Sequence, residues 1–214
     1  MLRHVLFDLD GTLTDSAEGI TRCLHHAAER AGGAPPAPEA LRHYIGSPLS
    51  DIFAELLDTA DPDRVACAIA YYRERFDRVG FQENRVYASI EEVVAELRGR
   101  GYGLYVATAK RQEDATRVIE HFEAAHWFEG VFGVVHDPER HDKSLLVRRI
   151  LAERGLDADE VAMVGDRSHD IRGARAAGVR ALGAGWGYGS TEELLESGAH
   201  AIATTPIELL ELLP

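Results

Sequence analysis

Lysine is nearly absent from this chain. Of its 23 basic residues only Lys110 and Lys143 are lysines; all the others are arginines. Cysteine is as scarce: Cys23 and Cys67, the only two, fit neither a disulfide framework nor a zinc site. No stretch approaches the ~18 uncharged apolar residues of a membrane span. Met1–Thr14 carries Arg3, Asp8 and Asp10 where a signal peptide would need an apolar run, so the expected compartment is the cytoplasm and no membrane partner is expected. Positive charge is in deficit, with a net charge of −13. Binding a phosphate backbone needs a basic face, so no nucleic-acid partner is expected. Repeats and low-complexity segments are missing, and 45% hydrophobic with 28% charged residues excludes disorder and collagen-like structure. A length of 214 residues suits one large domain or two small ones with a sizeable core.

Val5-Leu6-Phe7 is a short apolar run ending in Asp8, which predicts a buried strand. A helix is expected from Ser16, a plausible N-cap, to about Ala31, with Ile20, Cys23, Leu24, Ala27 and Ala28 on one stripe. Gly32 to Pro38 breaks the pattern, and short helical patterns fill Glu39 to about Val79. From about Arg85 the style changes. Helices at Glu91–Arg100, Gln112–Phe122, Ser144–Arg154 and Ile171–Ala177 alternate with apolar runs at Leu104–Ala107, Val131–Val135, Val161–Val164 and Arg180–Leu182; a weak strand at Ala201-Ile202 and a helix at Ile207–Leu213 follow. This alternation predicts an α/β fold, a Rossmann-like doubly wound parallel sheet with right-handed crossovers. The expected domains are a core of residues 1–15 and 85–214 and an inserted all-helical cap of residues 16–84.

In such a sheet ligands bind beyond the carboxyl ends of the strands. The polar residues at those ends form a coherent set. Asp8, Asp10, Gly11 and Thr12 follow the first strand, Thr108 and Lys110 follow Leu104–Ala107, and Asp166 and Asp170 follow Val161–Val164. Lys143 lies in the loop after Val135 or at the start of the next helix, so both lysines fall at the candidate site. A lone D-x-D is usually a solvated strand end. The full string Asp8-Leu9-Asp10-Gly11-Thr12-Leu13 arises by chance in on the order of one chain in a few thousand. Gly11 permits a tight turn and close backbone approach. Asp166 offers a hard oxygen ligand for Mg²⁺ beside Asp8, and Asp170 offers either a ligand or an N-cap. Thr108 lies where N–H groups at a helix start would hold a phosphate, unless it only finishes a strand. His169 orients the acidic loop or has no chemical role. Gly183 to Gly189 invites a dinucleotide fingerprint, but Tyr188 stands where the third glycine belongs, and it reads as a strand-end loop.

These four clusters, in this order, resemble the motifs of the haloacid dehalogenase superfamily of phosphohydrolases: D-x-D-G-T, a strand-end Ser/Thr, a Lys and G-D-x-x-x-D. Asn84–Tyr87, Ala107–Lys110, Gly165–Gly173 and Gly185–Ser190 further resemble its phosphoglycolate-phosphatase-like branch, whose small cap the helical insert matches. Ala88-Ser89 departs from that branch, where Pro-Gly is usual, and so does the loop His136–Asp142. The resemblance implies that Asp8 is a nucleophile forming an aspartyl-phosphate and that Asp10 is the general acid and then the base. It implies Mg²⁺ on Asp8, the Asp10 carbonyl and Asp166, with Asp170 in support, and Thr108 and Lys143 on the phosphoryl oxygens. Gly11, Thr12, Ala109 and Lys110 are the expected substrate-binding residues. The implied substrate is a small phosphorylated metabolite, phosphoglycolate-like by resemblance, with a nucleotide or sugar phosphate open, and the implied assembly is a monomer or homodimer. A phosphomutase of the same superfamily would share the clusters but needs residues for a second phosphate, which the sequence does not identify. A receiver domain is shorter and has no D-x-D-G-T. A dehalogenase or phosphonate hydrolase does not carry the second aspartate, Asp10.

Clustered carboxylates around a phosphate need a divalent cation to offset their repulsion. Chelation should therefore abolish phosphatase activity and Mg²⁺ should restore it, while Ca²⁺, which favours larger and irregular coordination, should restore it poorly. A phosphate-release assay with excess chelator checks this, and full activity there would refute it.

Overall fold

The computed structural model describes residues 1–135 and 142–213. The chain divides into two compact units, Met1–Asp15 with Val86–Pro214, and Ser16–Arg85. Residues 136–141 of the departing loop lie outside the described residues.

The first unit is built on a six-stranded sheet. Its strands are β1 (His4–Phe7), β4 (Gly103–Arg111), β5 (Gly130–Val134), β6 (Val161–Gly165), β7 (Arg180–Ala184) and β8 (Ala201–Ala203), while β2 (Thr14–Asp15) and β3 (Arg85–Val86) form a separate two-stranded ribbon. The order across the sheet is β5-β4-β1-β6-β7-β8, and neighbouring strands pair in parallel. The chain builds outward from β1 on one side and then returns to build outward on the other. The reversal falls between β1 and β6, and a ligand crevice opens at such a point.

The strands are fully apolar runs because both faces are covered. Leu6, Met163 and Ala181 pack in one cluster with Val147 and Ile150 of helix α6 (Lys143–Arg154) and Ile171 and Ala174 of α7 (Ser168–Ala176). Helices α4 (Ile90–Gly99) and α5 (Gln112–His121) bury Ile90, Val93, Val94, Leu97, Val118 and Ile119. Two features depart from the sequence pattern. Strand β4 runs on to Arg111 with a register shift between Ala107 and Arg111, so Thr108 lies within a strand, neither finishing it nor opening a helix. A short helix, α8 (Thr191–Glu196), follows β7 where the pattern shows none, and α9 (Leu209–Leu212) closes the described chain.

The second unit is all helical between its ends: α1 (Ala17–Arg30), a 3₁₀ stretch Pro38–Tyr44, α2 (Leu49–Leu56), α3 (Pro62–Arg75) and a π turn Phe76–Gly80. The expected stripe of α1 is buried. Asp61 caps α3 through its side chain, with Pro62 at the first turn. Ser16 precedes α1 without a side-chain capping bond. The guanidinium of Arg75 binds Glu83 at 2.7 Å and Cys23 Sγ at 3.1 Å, fixing α3 to α1.

Helices α6 and α7 meet where Gly173 faces Lys143: a Cβ on Gly173 would lie 2.6 Å from the Lys143 Cβ. Gly173→Ala should therefore destabilise the protein by about 1–3 kcal/mol through overpacking. Gly99→Ala, in a helix end with nothing within 4 Å, should be neutral or stabilise by roughly 0.5 kcal/mol. Urea unfolding of the two variants checks the contrast.

Candidate active site

The carboxyl ends of β1, β4 and β6 carry the polar cluster. The Asp8 N–H donates to Val164 O at 2.9 Å, so the sheet ladder itself sets the residue that follows β1. Two residues on, Asp10 bridges to Thr14 as the chain turns. Gly11 makes that turn at φ +85°, and a Cβ there would sit 2.2 Å from an Asp166 carboxylate oxygen. Only glycine meets both demands. Thr12 is fully buried, and its hydroxyl donates to Asp166 Oδ1 at 3.3 Å. Gly11 N–H is bonded to Thr14 O and Thr12 N–H to Leu9 O. The N–H groups of Gly11 and Thr12 thus serve the turn, and the Thr12 hydroxyl serves Asp166.

Lys143 is the first residue of α6, whose N-cap Asp142 accepts a hydrogen bond from Ser144 N–H. Its ammonium is 1% exposed and lies 2.9 Å from Asp8 Oδ1 and 2.7 Å from Asp170 Oδ1. Lys110 Nζ lies 3.0 Å from Asp10 Oδ2. The structure therefore pairs each lysine with an aspartate of the first motif. Thr108 is buried, its hydroxyl accepts from Lys110 N–H at 3.2 Å, and Ala109 is half-buried between them. Asp170 is not an N-cap. It is the third helical position of α7, with Arg167 at the cap, and its Oδ2 accepts from Arg167 N–H at 3.1 Å. His169 Nε2 is 3.6 Å from Asp170 Oδ1.

Burial sets the electrostatics. It raises the Asp8 carboxyl to about 7, with the charges of Asp170 and Asp10 adding to it and Lys143 opposing. Burial also pushes Asp166 well up, reinforced by Asp170 and Asp8 and opposed by the Tyr188 N–H. Asp170 is equally buried, yet the Lys143 ammonium holds it below the usual carboxylate range. Burial alone would lower Lys143; the two carboxylates overcome it and hold the ammonium above its ordinary value.

The donor set fits a hard divalent cation. Four carboxylates face two ammoniums, so carboxylates outnumber their counter-charges at the end of the sheet. Asp10 Oδ1 is buried without a hydrogen-bond partner, and Asp170 Oδ1 has the ammonium as an ion-pair partner but no well-directed hydrogen bond. Among the described residues, ligand atoms of Asp8, Asp170 and His169 come within 4.8 Å of one another. That trio counts side-chain atoms only, so it does not bear on the Asp10 carbonyl, and it does not include Asp166, whose carboxylate accepts from Thr12 and Tyr188. His169, which the sequence reads as orienting the acidic loop or as having no chemical role, carries no spacing signal of its own.

Sequence comparison agrees with the geometry. The profile of the haloacid dehalogenase-like hydrolases matches residues 5–184, most of the chain. The chain belongs to that family. This haloacid dehalogenase-like hydrolase is 43% identical over 191 residues to a protein of Pseudomonas aeruginosa named 5'-nucleotidase, covering 89% of this chain and 86% of that one. It is 35% identical to a protein of Mycobacterium tuberculosis named tyrosine-protein kinase PtkA, covering 98% of this chain and 72% of that one. A phosphoglycolate phosphatase of Vibrio parahaemolyticus matches at 28% identity, covering 99% and 96%. The crystal structure of a phosphatase predicted in Clostridium acetobutylicum superposes with a TM-score of 0.92 at 34% identity, over 100% of this chain and 99% of that one. The family assignment and these relatives make the chain a hydrolase of phosphoric monoesters, acting on a small phosphorylated substrate. The family generally uses a divalent metal. Among the described residues no helix is long and apolar enough to cross a membrane.

The buried ammonium generates a prediction. Lys143→Met leaves Asp8 and Asp170 without their counter-charge and should cost about 3–5 kcal/mol of stability. A carboxylate whose folded pKa is raised contributes stability below its ordinary pKa and loses it as pH rises through the folded value. Removing the lysine raises Asp8 further and lifts Asp170 from its depressed value, so the deficit should be smaller at pH 5 than at pH 8. Urea unfolding in chelator at the two values checks the sign. Lys143→Arg keeps the charge but not the compact ammonium, and on the order of a hundredfold of turnover should be lost through misplacement.

Proposed function

We propose that this phosphatase hydrolyses a small phosphomonoester in two steps through an aspartyl-phosphate on Asp8, with Mg²⁺ bound. The observation that carries the reading is Asp8: a buried carboxylate at the end of β1, fixed by the Lys143 ammonium at 2.9 Å, with a second carboxylate two residues on. In the first step an Asp8 oxygen attacks phosphorus, the bond from phosphorus to the leaving oxygen breaks, and protonated Asp10 gives that oxygen its proton. In the second, Asp10 takes a proton from water, the water oxygen attacks phosphorus, and the bond to Asp8 breaks to release phosphate. Lys143 and Thr108 hold phosphoryl oxygens. Lys110, paired with Asp10 in this structure, contributes more to substrate affinity than to turnover. Asp8, the Asp10 carbonyl and Asp166 would hold the cation, with Asp170 behind them, and it would supply charge neutralisation at the transferring phosphoryl.

The helical unit is proposed as the cap that selects the leaving group. The family resemblance implies phosphoglycolate as the first candidate. The relative named 5'-nucleotidase, with the higher identity over most of the chain, favours a nucleoside monophosphate, and that is the substrate class we propose. Assay of nucleoside 5'-monophosphates beside 2-phosphoglycolate decides between them by kcat/KM.

Asp10 separates the two-step route from direct attack by water. An aryl phosphate with an acidic phenol leaves without a proton, so its first step survives Asp10→Ala while the second loses general-base help worth about 10²–10⁴-fold. With that substrate and Mg²⁺, Asp10→Ala should release a burst of about one equivalent of phenol per enzyme, the first of the two steps, and then stall with phosphate on Asp8. Asp8→Asn should show no burst. Steady turnover by a folded Asp10→Ala protein, or failure to label Asp8, overturns the roles.

A further inference from the structure

The match to the family profile ends at Ala184, and the next nine residues do something the mechanism above leaves unused. The segment from Gly185 to Glu193 leaves the end of β7 and lies against the acidic loop that follows β6. Its main chain donates from Tyr188 N–H to Asp166 Oδ2 at 2.8 Å. The indole N–H of Trp186 donates to Thr12 O at 3.0 Å, and the Tyr188 phenol donates to Asp15 Oδ1 at 3.0 Å. The approach is close enough to exclude a side chain: a Cβ on Gly187 would lie 2.2 Å from the Asp166 Cβ and 2.4 Å from Gly11 O. Beyond the glycines, Glu193 accepts from Ser168 N–H at 2.7 Å and from Arg167 Nε at 3.1 Å, so α8 also grips the start of α7.

Asp166 needs such a frame. It is fully buried, and its two carboxylate oxygens accept from one side-chain hydroxyl and one main-chain N–H, the latter from this loop. Outer partners of this kind orient a ligating carboxylate and typically carry about 10–100-fold of metal affinity. The loop holds Asp166 by its backbone, while Trp186 and Tyr188 fasten that backbone at Thr12, the last residue of the D-x-D-G-T string, and at Asp15 just beyond it.

We propose that Trp186 and Tyr188 are positioning residues: they latch the Gly185–Gly189 loop so that the Tyr188 N–H aims the Asp166 carboxylate at the divalent cation. The inference rests on Asp166 as a ligand, as proposed above.

The test titrates Mg²⁺ into chelator-stripped full-length protein by calorimetry, without substrate. Tyr188→Phe and Trp186→Phe should each raise the Kd by roughly tenfold or more. Asp15→Asn, which can still accept from the phenol, should keep wild-type affinity. Asp15→Ala should match Tyr188→Phe, and the double variant should be no worse than either single one, a coupling that general loosening of the fold would not produce. Unchanged Kd in both loop variants, or additive losses in the double variant, overturns the latch. Asp166→Asn distinguishes the two levels. If it binds Mg²⁺ as tightly as wild type, or wild type binds none, Asp166 is not a ligand and the reading beneath the inference fails. If it loses Mg²⁺ while both loop variants keep it, the inference alone fails. Should a loop variant not fold, Trp127→Phe leaves Trp186 as the single tryptophan, the chain having two. Its emission should shift with the calorimetric midpoint of Mg²⁺ binding, and a flat signal overturns the proposal.

Discussion

An ammonium with almost no access to water cannot exist unpaired inside a protein, and Lys143 is such an ammonium. Its two partners, Asp8 and Asp170, come from the end of β1 and the first turn of α7, while the lysine itself begins α6. Three elements are thereby pinned to a common point by charge. A buried ion pair is weak support for stability, because an apolar replacement of similar volume is often as stable or more so. Its value here is electrostatic. The triad keeps Asp170 ionised and Asp8 in place, and it leaves the site with more carboxylates than ammoniums, which suits a divalent cation.

The choice of cation explains the composition. Arginine serves everywhere a basic residue meets solvent or forms a fork, as Arg75 does with Glu83 and Arg111 with Asp114. Lysine occurs at the two positions where a compact charge lies within about 3 Å of one or two carboxylate oxygens in a confined space. At Lys143 the confinement is visible, since Gly173 packs directly on its stem. The two lysines therefore mark the site before any fold is considered.

Much of this was legible because its signals are local. The D-x-D-G-T string fixes the spacing of Asp8 and Asp10, and apolar runs such as Val161–Val164 show buried parallel strands. What stayed hidden has no local signature. Thr108-Ala109-Lys110-Arg111 reads as polar loop, yet β4 continues through it. The strand survives its register shift because the Gln112 amide donates to Val131 O at 3.0 Å and accepts from Gly133 N–H at 2.8 Å, replacing ladder bonds. Helix α8 buries only Leu194 among its six residues, too few for a period to show. Asp170 reads as a ligand or an N-cap, but it caps backward from the third position, a geometry that leaves its other oxygen for Lys143. The hold on Asp166 comes from a main-chain N–H at Tyr188, which any residue could supply, and only the fold reveals it.

The strand order has a consequence in time. Strand β1 is made first and lies at the centre of the sheet, yet its neighbour β6 ends only at Gly165. Lys143 and Asp8 are 135 positions apart, Thr12 and Asp166 154, and Trp186 and Thr12 174. A chain emerging from the ribosome carries Asp8 beside an open sheet edge well before Lys143, Asp166 and Trp186 are made. Contacts so distant along the chain close slowly, because the loop entropy is lost before the pairing is gained. Half-made chains therefore have an exposed central strand and no assembled catalytic pocket, and they depend on prompt completion to avoid pairing that edge with another molecule.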